Sequence, residues 1–206
     1  MGDPNQLLLD LAQQFGPGVL FILVGIAFTQ TGLVLGPLIP GNTLLFTAGI
    51  LSASGNPNLT WPAVTLSFIS GGVIGNAANY VQGQKFGRSF FERRETGLIS
   101  SASLAKTEAF FTRHGRLTML FSPFVPFVRS FAPFVAGVSQ MRFPSYFLFA
   151  ALGVALWVTV LVSLGAGLGQ IPWVKNNLGT FVIAIFVIIS AQLLIAVFRK
   201  RRKPVE

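Results

Sequence analysis

Two apolar stretches in this 206-residue chain are interrupted by proline and glycine, and neither can run as a continuous helix. Residues 17 to 54 hold no Lys, Arg, Asp or Glu, yet their centre reads Gly32-Leu33-Val34-Leu35-Gly36-Pro37-Leu38-Ile39-Pro40-Gly41-Asn42. Residues 117 to 137 behave the same way, with Pro123, Pro126 and Pro133 in one apolar run that closes on Ala136-Gly137. The chain is 52% hydrophobic and 10% charged, so a bilayer is its expected solvent. Backbone broken at membrane depth is tolerated only where protein or a wet cavity surrounds it. Both segments therefore read as re-entrant hairpins, with two kinked helices as the alternative.

Apolar runs long enough to span a core of about 30 Å occur at residues 60 to 83, 143 to 170 and 178 to 198. Trp61, Tyr146, Trp157 and Trp173 are candidate interfacial anchors for them. Residues 1 to 16 read as a short interfacial segment or a disordered tail, since they lack the cationic start of a signal peptide. The expected organisation is one all-α membrane domain over 1 to 206. A helix and first hairpin (17 to 54) are followed by a spanning helix (60 to 83), a charged loop with a helix (84 to 116) and a second hairpin (117 to 137). Two further spans and a basic tail (199 to 206) complete it. In the loop, serines at 100, 101 and 103 suggest a helix start and Gly115 its stop, with His114 at the helix end rather than carrying protons. Phe110 and Phe111 among basic neighbours fit either an interfacial helix on anionic lipid or a solvated connector.

Charge placement narrows the function. The formal net charge is +9, and twelve of the fifteen Lys and Arg fall in the loop 84 to 116 or the tail. This is the distribution of cytoplasmic segments rather than of a nucleic-acid surface. With both blocks inside, the two hairpins enter from opposite faces. Pro37-Leu38-Ile39-Pro40 leads to Ala48-Gly49 much as Pro123-Phe124-Val125-Pro126 leads to Ala136-Gly137, which is a weak internal repeat. Inverted repeats with interrupted segments are a transporter pattern, with the substrate site where they meet. The absence of cysteine and the single histidine argue against a thiolate or histidine metal site, and no nucleophile and base pair can be assembled. Neither an enzyme nor a cofactor is expected.

Arg129 stands alone in Pro126-Phe127-Val128-Arg129-Ser130-Phe131-Ala132-Pro133, and no carboxylate occurs in any apolar segment. An unpaired buried charge is costly, so water, backbone carbonyls or an arriving anion must compensate it. A lipid phosphate suits the planar guanidinium fork, whereas snorkelling to the interface is the alternative. The polar side chains available to line a cleft are chiefly Gln30, Thr31, Asn42, Thr43, Thr47, Asn76, Asn79, Tyr80, Ser122 and Ser130. Asn76, Asn79 and Tyr80 share one helical face, which serves a cleft or helix-to-helix hydrogen bonds equally well.

Thr31-Gly32-Leu33-Val34, Pro40-Gly41-Asn42-Thr43-Leu44-Leu45-Phe46, Ala48-Gly49, Gly75-Asn76-Ala77-Ala78-Asn79-Tyr80, Phe110-Phe111-Thr112-Arg113-His114-Gly115 and the Arg129 motif through Ala136-Gly137 together resemble the DedA family, in order and spacing over residues 25 to 170. The resemblance implies paired re-entrant segments and a bacterial inner-membrane location, to which the charge placement adds a cytoplasmic C-terminus. It also implies a flippase or scramblase role toward polyprenyl phosphate or phospholipid, often linked to proton motive force. It further implies an acid at the positions of Gln30 and Asn42, an Asp at that of Asn76 and a first arginine at that of Pro123. The expected substrate-binding set is Arg129, Ser130, Gln30, Asn42, Thr43, Asn76, Asn79 and Tyr80, with anionic lipid and the membrane as partners, no nucleic acid, and homo-oligomerisation open. A lipid-binding or scaffold paralogue without proton coupling is the second expectation, and an exporter of small cations the third.

Overall fold

The computed structural model describes residues 14–32, 41–53, 55–87, 101–125 and 128–168, with single positions at 171, 180 and 187. Most of the N-terminal segment, the span expected at 178 to 198, Trp173 and the basic tail lie outside the described residues. Those described form six α-helices with short 3₁₀ and π turns and no strand. They are α1 (Val19–Gly32), α2 (Gly41–Ser52), α3 (Trp61–Gln82, continued by a π turn over Gly83–Gly87), α4 (Ser101–Phe121), α5 (Val128–Val138) and α6 (Phe143–Leu168). The chain is thus all-α where it is described.

Local chemistry sets several of these boundaries. Thr60 is extended, and Pro62 opens the first turn of α3, where its missing amide costs no helical bond. α5 ends on a 6→1 bond from Met141 N–H to the Ala136 carbonyl, with Gln140 in the left-handed region at φ +50°. Among the described residues only α6 is both long and apolar enough to cross a membrane. α3 has the length, about 33 Å at 1.5 Å per residue, but Ser67, Ser70, Asn76, Asn79 and three glycines dilute its apolar character.

α3 and α6 form the central pair and run antiparallel, Gly72 meeting Val154 while the Asn76 carbonyl accepts from the Tyr146 hydroxyl at 2.7 Å. Each broken segment sends one leg to α3 and the other to α6. α1 lies on α3 and α2 on α6, and likewise α5 lies on the end of α3 and α4 on α6. Two cores result. Leu23, Leu45, Phe68, Trp157 and Leu161 join the first segment to the N-terminal half of α3 and the C-terminal half of α6. Tyr80, Met119, Ala136 and Tyr146 join the second segment to the opposite halves.

The legs approach at glycine. A Cβ on Gly49 of α2 would strike the Val162 carbonyl of α6, and one on Gly137 of α5 would strike the Tyr80 carbonyl of α3. Helix axes this close leave no room for a side chain, as at small-residue crossings in membranes.

Three expectations need correcting. Gly115 does not stop a helix: α4 runs unbroken to Phe121, and Gly115 is needed small because a Cβ there would meet the Met141 sulfur at 2.9 Å. His114 is accordingly mid-helix, exposed and stacked on Phe110. Tyr146 and Trp157 are not interfacial anchors, because both turn into the bundle, Tyr146 against Tyr80 and Trp157 edge-on to Phe124. Trp61, at the start of α3, is exposed.

Candidate functional site

The last described turn of α1 is the first component. Its final two carbonyls accept hydrogen bonds from α3 at the side. Asn79 Nδ2 donates to the Thr31 carbonyl at 3.0 Å and Gln82 Nε2 to the Gly32 carbonyl at 2.7 Å. The Thr31 hydroxyl completes the seam through bonds to the carbonyls of Ala27 (2.9 Å) and Gly72 (3.3 Å). Gly32 and Gly75 permit this closeness, a Cβ on Gly32 lying 3.2 Å from the Gly75 Cα.

The second segment breaks differently. α4 gives way to a 3₁₀ turn over Ser122–Phe124, Val125 is extended, and α5 engages through an Arg129 N–H bond to the Val125 carbonyl at 3.1 Å. Pro133 lies inside α5 and withdraws the amide that would have bonded the Arg129 carbonyl. The guanidinium reaches across to the first segment, where Arg129 Nη1 donates to Asn42 Oδ1 at 2.5 Å.

Between the two breaks lies a cavity of about 50 Å³, lined by Gln30, Thr31, Asn76, Ser122, Pro123 and Arg129 over apolar walls that include Phe68, Val154 and Trp157. Such a volume holds roughly three or four waters. Gln30 is buried, and its Nε2 has no hydrogen-bond partner among the described residues. The cavity thus offers a fixed cation and an unused amide donor, and no carboxylate is among its described lining residues.

Of the eight expected site residues, the structure brings Gln30, Asn76 and Arg129 to the cavity, and Asn42 to Arg129. Asn79 bonds to α1 instead. Tyr80 belongs to the second core, where its hydroxyl donates to the Met141 carbonyl and its ring stacks on Tyr146 at 4.4 Å. Asn79 and Tyr80 thus take the helix-bonding role that their shared face equally allowed. Thr43 is half-buried outside the lining, and the Ser130 side chain lies outside what is described. Sequence reasoning passed over Gln82, which stands three residues after Asn79 and was the available signal for an amide pair.

The VTT domain family model matches residues 39–167, which contain Asn42, Asn76, Pro123 and Arg129. The protein DedA of Escherichia coli K12 is 34% identical over 195 residues, covering 95% of this chain and 89% of its own. This chain belongs to the DedA family of VTT-domain proteins. An uncharacterized membrane protein of Mycobacterium tuberculosis is 35% identical over 191 residues, covering 91% of this chain and 84% of that one. The inner membrane protein YghB of Escherichia coli K12 is 30% identical over 159 residues, covering 77% and 72%. No solved structure matches the chain. The four positions at which the DedA resemblance implies charge that this member lacks are now seen together. Gln30, Asn76 and Pro123 line the cavity, and Asn42 is the hydrogen-bond partner of the arginine that remains.

Proposed function

We propose that this DedA family member moves an anionic lipid, a polyprenyl phosphate or a phospholipid, across the bacterial inner membrane, with the phosphate held by Arg129 where two re-entrant segments meet. The observation that carries the reading is Arg129 itself, which lines a cavity with a neutral amide as its hydrogen-bond partner and the unpartnered Nε2 of Gln30 beside it. A phosphate supplies both the countercharge and the acceptors that such a site lacks. The antiparallel α3 and α6, each taking one leg from each broken segment, support an inverted repeat with hairpins entering from opposite faces. The exposed cations Lys85, Arg113, Arg116 and Arg142 gather where the end of α3, the middle of α4 and the turn before α6 come together, which favours a cytoplasmic assignment for that end and for the C-terminal tail. YghB, named an inner membrane protein, favours the same location.

Reconstitution in liposomes with labelled polyprenyl phosphate and phospholipid tests the reading. Transport by the wild type, weakened by Arg129→Lys and abolished by Arg129→Gln, is the expected result, and equal transport by all three forms would overturn it. A cysteine in place of Ser101 should resist an impermeant reagent applied outside intact cells; labelling there would reverse the topology.

The neutral lining favours a second reading, a lipid-binding or scaffold protein without proton coupling. Gln30, Asn42 and Asn76 cannot change charge with pH, and Pro123 cannot hold an anion. No enzymatic step is assigned to the site. In the same liposomes, headgroup binding without passage would select the second reading, whereas passage insensitive to a protonophore at clamped potential would select uncoupled transport.

A further inference from the structure

Outside the cavity, one cationic group is held in a fixed pose at the edge of an exposed apolar strip. Arg116 of α4 donates from Nε to the Ser145 hydroxyl at 3.2 Å, and its guanidinium lies 6.0 Å from the ring centre of Phe149, both on the first two turns of α6. These contacts orient the plane while its two Nη groups have no partner among the described residues. A pre-oriented fork loses less freedom on meeting a phosphate than an unrestrained arginine does. Gly115 touches Met141, which brings the exposed Arg142 alongside, and Arg113 is exposed one turn before Arg116.

The surface that continues from this group along α6 is apolar. At 100° per residue, Ser145, Leu148, Leu152 and Leu156 share one face, and the three leucines are 55%, 49% and 48% exposed. The same face borders α4, whose Leu117 and Phe121 are also exposed. From Ser145 to Leu156 the helix rises about 16 Å, which matches half of a hydrocarbon core of about 30 Å. A cation at one end of a strip one leaflet deep is complementary in charge and length to a single phospholipid.

We propose that Arg116, oriented by Ser145 and Phe149, seats the headgroup phosphate of an anionic phospholipid whose acyl chains lie along Leu148, Leu152 and Leu156. This surface site is separate from the Arg129 cavity. Charge complementarity selects the lipid class: with Arg113 and Arg142 beside Arg116, a net negative headgroup is favoured over a zwitterionic one.

Native mass spectrometry of the full chain in detergent, titrated with phosphatidylglycerol or with phosphatidylcholine of the same acyl chains, tests the proposal. The wild type should retain phosphatidylglycerol in preference to phosphatidylcholine. Arg116→Gln should reduce that retention roughly fivefold, the worth of one arginine at an anionic leaflet, and Ser145→Ala by a smaller factor. Arg116→Lys keeps the charge without the fork, so an intermediate retention from it supports the site even where the glutamine variant unfolds. Arg129→Gln should remove only the lipid bound in the cavity, and Arg116→Gln should lower retention by the same factor in that background as in the wild type, which separates the site from the cavity. Undiminished retention by both Arg116 variants, equal retention of the two lipids by the wild type, loss of all retention on Arg129→Gln, or displacement by millimolar inorganic phosphate would each overturn it.

Discussion

The two broken segments solve the same problem with opposite materials. In the first, the Thr31 and Gly32 carbonyls of α1 are met by neutral amides, Asn79 and Gln82, delivered from α3. In the second, the break is made by a 3₁₀ turn and proline, and the segment carries the single charge at the cavity, Arg129, back toward the first. Asn79 and Gln82 are thus spent on backbone, while Arg129 of the second segment and Gln30 of the first turn their donors to the cavity. The comparison teaches that burying a broken backbone and building a charged site are separable tasks.

The glycine crossings give the harshest test, because they serve both segments equally. Gly49→Leu and Gly137→Leu should each cost about 3 kcal/mol or more, since the obstacle is a backbone carbonyl and not a movable side chain. Thermal unfolding in detergent checks this, and tolerance of one but not the other would break the parallel between the segments. Next in size is Gln82→Leu, which acts on the first segment alone by leaving the Gly32 carbonyl without its donor, at about 1–3 kcal/mol. Its hydrogen-exchange signature should be confined to the end of α1, with α5 unaffected.

Charge sharpens the contrast further. Asn42→Asp would give Arg129 a countercharge from the first segment, so anion binding should weaken at neutral pH. Protonation of the new carboxylate removes that countercharge, so binding should return as pH falls. A headgroup titration at several pH values checks the sign, and weaker binding at lower pH would contradict it. The smallest expected effect belongs to the second segment. Gln140→Gly should raise stability by about 1 kcal/mol, because φ +50° costs a residue with a Cβ but not glycine.

Much of this was legible in the chain because proline and charge are local signals. The α4 helix gives way at Ser122, beside Pro123, whereas the stretch around Pro37 and Pro40 lies outside the described residues. A lone arginine in an apolar run is likewise visible without coordinates. What could not be read was which side chains would meet. Asn79 and Gln82 look like any amides on a helix until Gly32 and Gly75 let α1 come close enough to be bonded. Gly115 has the sequence character of a terminator, yet the Met141 sulfur explains its size. Trp157 and Tyr146 suggest a membrane boundary by residue type, whereas packing draws both inward. Each miss comes from a long-range approach that overrides a local preference.

The fixed guanidinium also has an electrical meaning. A narrow wet passage through low-dielectric material would ordinarily conduct protons along its water file and discharge the membrane that houses it. Arg129 holds a standing positive potential over the few waters the cavity can contain, and hydronium or sodium meets that barrier before it meets any acceptor strong enough to draw it in. Under the proposed function, the residue that attracts the anion would therefore also insulate the bilayer while the site stands empty.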